Sequence, residues 1–257
     1  MLQAHSLLWH YLWVAPNVFL LLLAIELRRR DVRTQFPVFL FFAVAIGIEQ
    51  LTLYVTDVLP SVDPMTWWYF FWAGLLVEAL VKFALIGEIF GAVFGLYPSV
   101  AKLGKTLITG VGVALVILAA VAAGFTTKDN TNWIVSGAHL LEQTIYMIEC
   151  GLILFLLAFA AYFKLRWGRW AFGIILGLGV SACVHFATWA LMANGNFAAL
   201  YRVRLDFLNM ATYHLSVLIW YYYLLVPAKS VSLAKDPPPP EHNLEVWNQE
   251  LERLIHQ

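Results

Sequence analysis

The sequence predicts an all-α, polytopic membrane protein: a bundle of seven transmembrane helices with its N-terminus outside and its C-terminus in the cytoplasm. Composition is the first observation, because 61% of the 257 residues are hydrophobic and only 12% are charged. Soluble domains carry about twice that charged fraction. The second observation is a series of seven apolar stretches, since about 20 apolar helical residues cross a hydrocarbon core of roughly 30 Å. The third is the distribution of Lys and Arg between the stretches.

Each stretch is predicted to be helical because lipid offers the backbone no hydrogen-bond partners. None alternates over about ten residues as a strand of a membrane barrel does. The predicted spans are residues 6–27, 36–57, 67–96, 106–125, 132–163, 169–193 and 205–226. The first is interpreted as a retained span rather than a signal peptide, since it contains Pro16 and is followed by three arginines.

Basic residues predict the orientation. Eleven Lys and Arg residues lie in one set of connections and the tail, against three in the opposite set. The larger set is predicted to be cytoplasmic, because cytoplasmic loops carry the excess of basic residues. It comprises Arg28, Arg29, Arg30, Arg33, Lys102, Lys105, Lys164, Arg166, Arg169, Lys229 and Lys235, and the external set is Lys128, Arg202 and Arg204. The bacterial inner (plasma) membrane is the predicted location.

Ionisable side chains occur in most of the spans. Each charged group costs at least about 2.5 kcal/mol at the bilayer centre, so such residues indicate function. A rise of about 1.5 Å per residue places six of them in one layer, roughly 10–17 Å from the outer end. We predict that this layer forms a ligand-binding or proton-sensing pocket in the outer half of the bilayer. Its members, together with Asn209, are Glu49, Glu78, His139, Glu142, His185 and His214. The fourth span has no ionisable residue and is predicted to be a packing helix.

Two spacings within this layer carry further predictions. Glu78 and Lys82 are four residues apart, the favourable order for an intrahelical ion pair. His139 and Glu142 are three apart, and with His185 and His214 they would supply a set of ligands that suits zinc or iron. A haem between two histidines is another alternative, and hydrogen-bonded structural histidines are the competing interpretation. No nucleophile elbow, phosphate loop or kinase motif is present, so an enzyme is not favoured.

The chain is predicted to divide into a transmembrane domain at 1–227, a Pro-rich cytoplasmic linker at 228–242 and an amphipathic tail helix at 243–257. The polar face of the tail helix is acidic, whereas a helix for the anionic leaflet would be basic. We therefore expect it to dock on a cytoplasmic protein or on the chain's own basic loops, and a frayed tail without a partner is the alternative. Its apolar stripe is Leu244, Trp247, Leu251, Leu254 and Ile255.

Close helix packing is predicted in the sixth span, where Gly173 and Gly177 form a small-xxx-small face. The partner helix could belong to this chain or to a second copy in a homo-oligomer. No basic face indicates nucleic acid, so the lipid bilayer is the main predicted partner.

The leading functional hypothesis is a sensor or receptor-like protein whose pocket binds a ligand or proton and whose tail reports to a partner. The alternatives are a small-molecule or proton-coupled transporter, an intramembrane metal or haem enzyme, and a structural subunit of a larger membrane complex.

Overall fold

The computed structural model describes residues 5–30, 32–94, 132–162, 167–192 and 195–227, with isolated positions at 106, 109, 110, 113, 114, 117 and 253. All regular structure in this part of the chain is helical. The helices are α1 (Leu7–Leu27), α2 (Val32–Gln35), α3 (Pro37–Val58), α4 (Pro64–Phe94), α5 (Asn132–Tyr162), α6 (Arg169–Met192) and α7 (Gly195–Leu225).

Five helical segments among the described residues are long and apolar enough to cross a membrane. They are Leu7–Leu27, Pro37–Val58, Met65–Phe94, Glu142–Tyr162 and Arg169–Met192. The prediction of an all-helical protein is thus confirmed, and membrane insertion is supported. The seven-span count, the orientation and the tail helix stay predictions. The predicted fourth span, the linker and the tail helix with its apolar stripe lie outside the described residues, apart from isolated positions.

The helix bounds differ from the predicted spans mainly at α7. This helix begins at Gly195 rather than at residue 205. The predicted start was based on hydropathy, which detects only the apolar part of a helix, and no proline between Gly195 and residue 205 ends the helix earlier. Helix α7 is less hydrophobic than the other long helices, because it contains Arg202, Arg204, Asp206, Asn209 and His214. The short helix α2 was not predicted either, since it contains only four residues.

The six long described helices form a closed ring. Helix α1 packs on α3, α3 on α4, α4 on α5, α5 on α6 and α6 on α7, and α7 returns to α1. Helix α2 lies in the connection between α1 and α3. The ring encloses an interior space that side chains of all six long helices line.

The apolar core fills only one end of this ring, the end at which α1 and α4 finish and α3 and α6 begin. This is the end with the basic connections, predicted to be cytoplasmic. Aromatic and aliphatic side chains from all six long helices meet there. Its fully buried members include Leu20, Leu23, Phe39, Phe42, Leu85, Ile89, Leu156, Ile174, Val217 and Trp220. The packed core thus lies at one end of the ring, and the interior space lies toward the other.

Glycines allow α6 and α7 to approach closely. A Cβ at Gly173 would overlap the Tyr223 side chain, and one at Gly177 would overlap the Trp220 indole. The indole Nε1 of Trp220 also donates a hydrogen bond to the Ile174 carbonyl, at 3.2 Å. The small-xxx-small face therefore packs against a helix of the same chain.

At the packed end of the ring, polar side chains form hydrogen bonds with backbone groups of the helix termini. Arg30 donates to the Leu225 carbonyl at 3.1 Å, and Arg169 donates to the Tyr222 carbonyl at 3.2 Å. Both carbonyls belong to the last turn of α7, where the helix has few backbone donors left. The Tyr222 carbonyl also accepts from the backbone amide of Val226, at 3.3 Å. At the start of α3, Glu88 of α4 accepts hydrogen bonds from the backbone amides of Val38 and Phe39, at 2.8 and 3.1 Å. These contacts link the helix ends across the ring.

Two free cysteines face one another between α5 and α6. The sulfur atoms of Cys150 and Cys183 are 3.8 Å apart. This is a thiol contact rather than a disulfide.

Candidate functional site

A cavity of about 450 Å³ occupies the interior of the ring. Every long described helix contributes side chains to its wall. Polar lining residues are Asn17, Glu49, Gln50, Asp57, Glu78, Lys82, Glu142, Ser181, His185, Asp206 and Asn209, and aromatic ones include Trp9, Trp13, Trp67, Phe71, Tyr146 and Tyr213. A volume of this size suits a small organic molecule.

The cavity runs from one end of the ring to the apolar core. Its lining includes Trp9, Asp57 and Trp67, which lie near the ends of α1, α3 and α4. At the other limit, Phe42, Leu178 and Trp220 belong both to the cavity wall and to the buried core. Within the described part of the chain, the core thus closes the floor.

An ion triad sits in the cavity wall and behind it. The ammonium Nζ of Lys82 lies 2.8 Å from Glu78 Oε1 and 3.0 Å from Glu149 Oε2. The side chains of Lys82 and Glu149 are only 7% and 1% exposed, so the pairs are buried. Two carboxylates share one ammonium, which leaves the triad with a formal charge of minus one when all three groups are ionised. Glu149 Oε1 has no hydrogen-bond partner among the described residues.

Aromatic rings connect this triad to His185. Lys82 Nζ lies over the Tyr146 ring, 4.6 Å from its centroid, and Tyr146 stacks on the His185 imidazole with centroids 4.7 Å apart. His185 Nδ1 is 2.9 Å from the Ser181 carbonyl oxygen. A carbonyl oxygen only accepts, so the proton of a neutral imidazole lies on Nδ1, and Nε2 presents a lone pair.

Glu49 lies close to the backbone of α4. A Cβ at Gly74 would overlap Glu49 Oε1 and come within 2.6 Å of Cδ. Only glycine therefore leaves room for the carboxylate at this position. The other oxygen, Oε2, is buried and has no hydrogen-bond partner among the described residues.

Two indole groups of the cavity wall also lack partners. The Nε1 atoms of Trp13 and Trp67 are buried and make no hydrogen bond within the described part of the structure. Trp67 stacks on Phe71 at 5.2 Å, and Trp13 meets the edge of Trp9 at 4.7 Å. The cavity wall thus combines aromatic surface with unused donors and an unused acceptor.

The structure brings most of the predicted pocket residues to this cavity. Glu49, Glu78, Glu142, His185 and Asn209 all line it, and Asn209 Oδ1 accepts a hydrogen bond from Thr188 at 2.8 Å. Their role in binding or proton sensing stays a prediction.

The other two histidines are placed differently. His214 is not a lining residue and instead contacts Tyr11 and Phe19, with ring centroids 5.7 and 5.8 Å away. His139 lies in α5, with its side chain outside the described part. No group of three or more His, Cys, Asp and Glu residues suited to a metal ion occurs among the described residues.

Several residues of the cavity and its surroundings were not among the predicted pocket residues. Glu149 was absent from the predicted pocket, although its spacing of seven residues from Glu142 puts both on one helix face. Asp57 and Asp206 lie near predicted helix ends and carried no intramembrane signal. Gly74 had no signal at all, because its importance depends on the side chain opposite.

Comparison of the chain with protein-family models, curated proteins and solved structures found no match.

Proposed function

We propose that this protein is a membrane receptor or sensor whose intramembrane cavity admits a small molecule from the outer side. The observation that carries this proposal is the charged, aromatic-lined cavity within a ring of helices. Charged groups inside the bilayer are costly, so several of them in the wall of one cavity indicate a functional site.

The apolar core that includes Phe42 and Trp220 closes the cavity from beneath, among the described residues. A carrier in its outward-facing state would be closed in the same way, so the position of α7 supplies the argument for a receptor. Helix α7 lines the cavity with Asn209 and Tyr213. The same helix ends at the Leu225 carbonyl, which Arg30 holds. We infer that a shift of α7 on binding would reach the predicted cytoplasmic linker and tail.

Thiol accessibility tests the proposal without knowledge of the ligand. Met210 lines the cavity, whereas the neighbouring Ala211 is exposed on the outer surface of the ring, at nearly the same depth. Met210→Cys and Ala211→Cys are compared in a Cys150→Ala, Cys183→Ala background. Right-side-out vesicles are treated with a membrane-impermeant methanethiosulfonate. We expect the cavity thiol to react and the lipid-facing thiol to remain unmodified. An unreactive thiol at both positions would overturn the proposal.

A further inference from the structure

We infer that the ligand of this cavity is an organic cation: an ammonium compound with an apolar body and a hydrogen-bond acceptor. This inference deepens the proposed function and rests on it.

Charge is the first step of the argument. Lys82 is the only Lys or Arg residue among the described cavity-lining side chains. Both carboxylates of the triad already hold it, at 2.8 and 3.0 Å. An anion entering the cavity would therefore have to compete with Glu78 and Glu149 for the same ammonium. A cation meets no such competition.

Glu49 supplies the second step. With Glu78 and Glu149 it makes three carboxylates against one ammonium in this part of the ring, and its Oε2 has no partner among the described residues. Gln50 hydrogen-bonds the Glu49 carboxyl, but an amide carries no charge, and Lys82 is shared with two other carboxylates. A carboxylate whose charge is not balanced away from bulk water either takes up a proton or binds a cation. The absent side chain at Gly74 lets the carboxylate lie in the cavity wall between α3 and α4.

The aromatic wall of the cavity favours a bound cation over a proton as the charge that balances Glu49. Cations are attracted to the faces of Trp, Tyr and Phe rings, most strongly where water is excluded. Trp13, Trp67, Phe71 and Tyr213 all line the cavity. A proton would need neither this surface nor a volume of about 450 Å³. An organic ammonium ion uses the carboxylate, the rings and the volume together.

The indoles complete the ligand description. Nε1 of Trp13 and Nε1 of Trp67 are buried donors without partners in the described structure. Buried donors normally have a hydrogen-bond acceptor, and a simple alkylammonium ion contains none. A ligand with an ester, ether or hydroxyl oxygen beside its cationic group would accept from them.

Protection of the thiol introduced by Met210→Cys tests the inference. The reagent is uncharged methyl methanethiosulfonate, so its own charge does not bias the reaction rate. Three compounds of matched size are compared as protectants: benzoylcholine, its uncharged isostere with carbon in place of nitrogen, and the anion benzoyltaurine. We expect benzoylcholine alone to slow the modification. Adding Glu49→Gln should weaken this protection at least tenfold, whereas adding Glu26→Gln, at an exposed pair with Arg30, should leave it unchanged.

The outcomes distinguish failure of the cationic ligand from failure of the proposed receptor. Equal protection by the isostere, or stronger protection by benzoyltaurine, overturns the cation and leaves a receptor for another ligand class. Modification that none of the three compounds slows also overturns the cation and favours a proton as the compensating charge. A thiol that does not react even without a protectant overturns the receptor itself. If Glu49→Gln fails to fold, comparison of the three compounds on the otherwise unaltered cavity still decides.

Discussion

Replacement of the triad lysine by an uncharged residue of similar length should destabilise the protein strongly. In Lys82→Met, the carboxylates of Glu78 and Glu149 lose the ammonium that lies 2.8 and 3.0 Å away. Glu149 is 1% exposed, so water cannot replace the lost partner. Removing one member of a buried ion pair costs about 3–5 kcal/mol, because the remaining charge stays desolvated. One of the two carboxylates is expected to take up a proton, so the expected loss in the free energy of unfolding is closer to about 3 than to about 5 kcal/mol.

The loss is measured as a shift of the thermal unfolding midpoint in mild detergent. For a chain of this size, 3–5 kcal/mol corresponds to a decrease of roughly 10 °C. Glu26→Gln is the control, because it removes an exposed pair worth less than about 1 kcal/mol. The double variant Lys82→Met, Glu149→Leu removes the most buried carboxylate as well, and it should regain about half of the lost stability. A decrease of no more than a degree or two for Lys82→Met would refute the reasoning.

Three further predictions concern the packing of the helices. Glu88→Ala removes the acceptor for the first amides of α3 and should cost about 1–2 kcal/mol, and an unchanged unfolding midpoint would contradict this capping role. Gly177→Ala forces α6 and α7 apart and should cost about 1–3 kcal/mol. Gly151 has open space around it, so Gly151→Ala should be tolerated, and equal unfolding midpoints for the two variants would argue against the close approach. Mild oxidation should join Cys150 to Cys183, whose sulfurs are 3.8 Å apart, and intact mass after oxidation should fall by the two thiol hydrogens, whereas an unchanged mass would contradict the contact.

Depth along the helices was predictable from the sequence, because the rise per residue is constant once a helix end is known. Counting from predicted ends placed Glu49, Glu78, Glu142 and His185 in one layer, and all four line the cavity. Helix bounds were likewise close where strong signals exist, as at Arg169, the start of both the sixth predicted span and α6.

Rotation about the helix axes was not predictable. Tyr213 lines the cavity, but His214 is turned by about 100° on the same helix and meets Tyr11 and Phe19 instead. Side-chain contacts between different helices were not predictable either. The pair of Lys82 with Glu149 depends on how α4 and α5 align, and nothing in either helix alone specifies it. The closed ring depends on the contact of α1 with α7, which no local signal reveals.

The most direct test of the proposal that the cavity is acidic and open to the outside compares two reagents of opposite charge at one position. The thiol introduced by Met210→Cys is treated from outside with trimethylammonioethyl and with sulfonatoethyl methanethiosulfonate. Each rate is divided by the rate for a free thiol in solution. The cavity's excess of carboxylates predicts that the corrected rate of the cationic reagent exceeds that of the anionic reagent at least tenfold. It also predicts that Glu49→Gln lowers the ratio. Equal corrected rates, or a faster anionic reagent, would contradict the account.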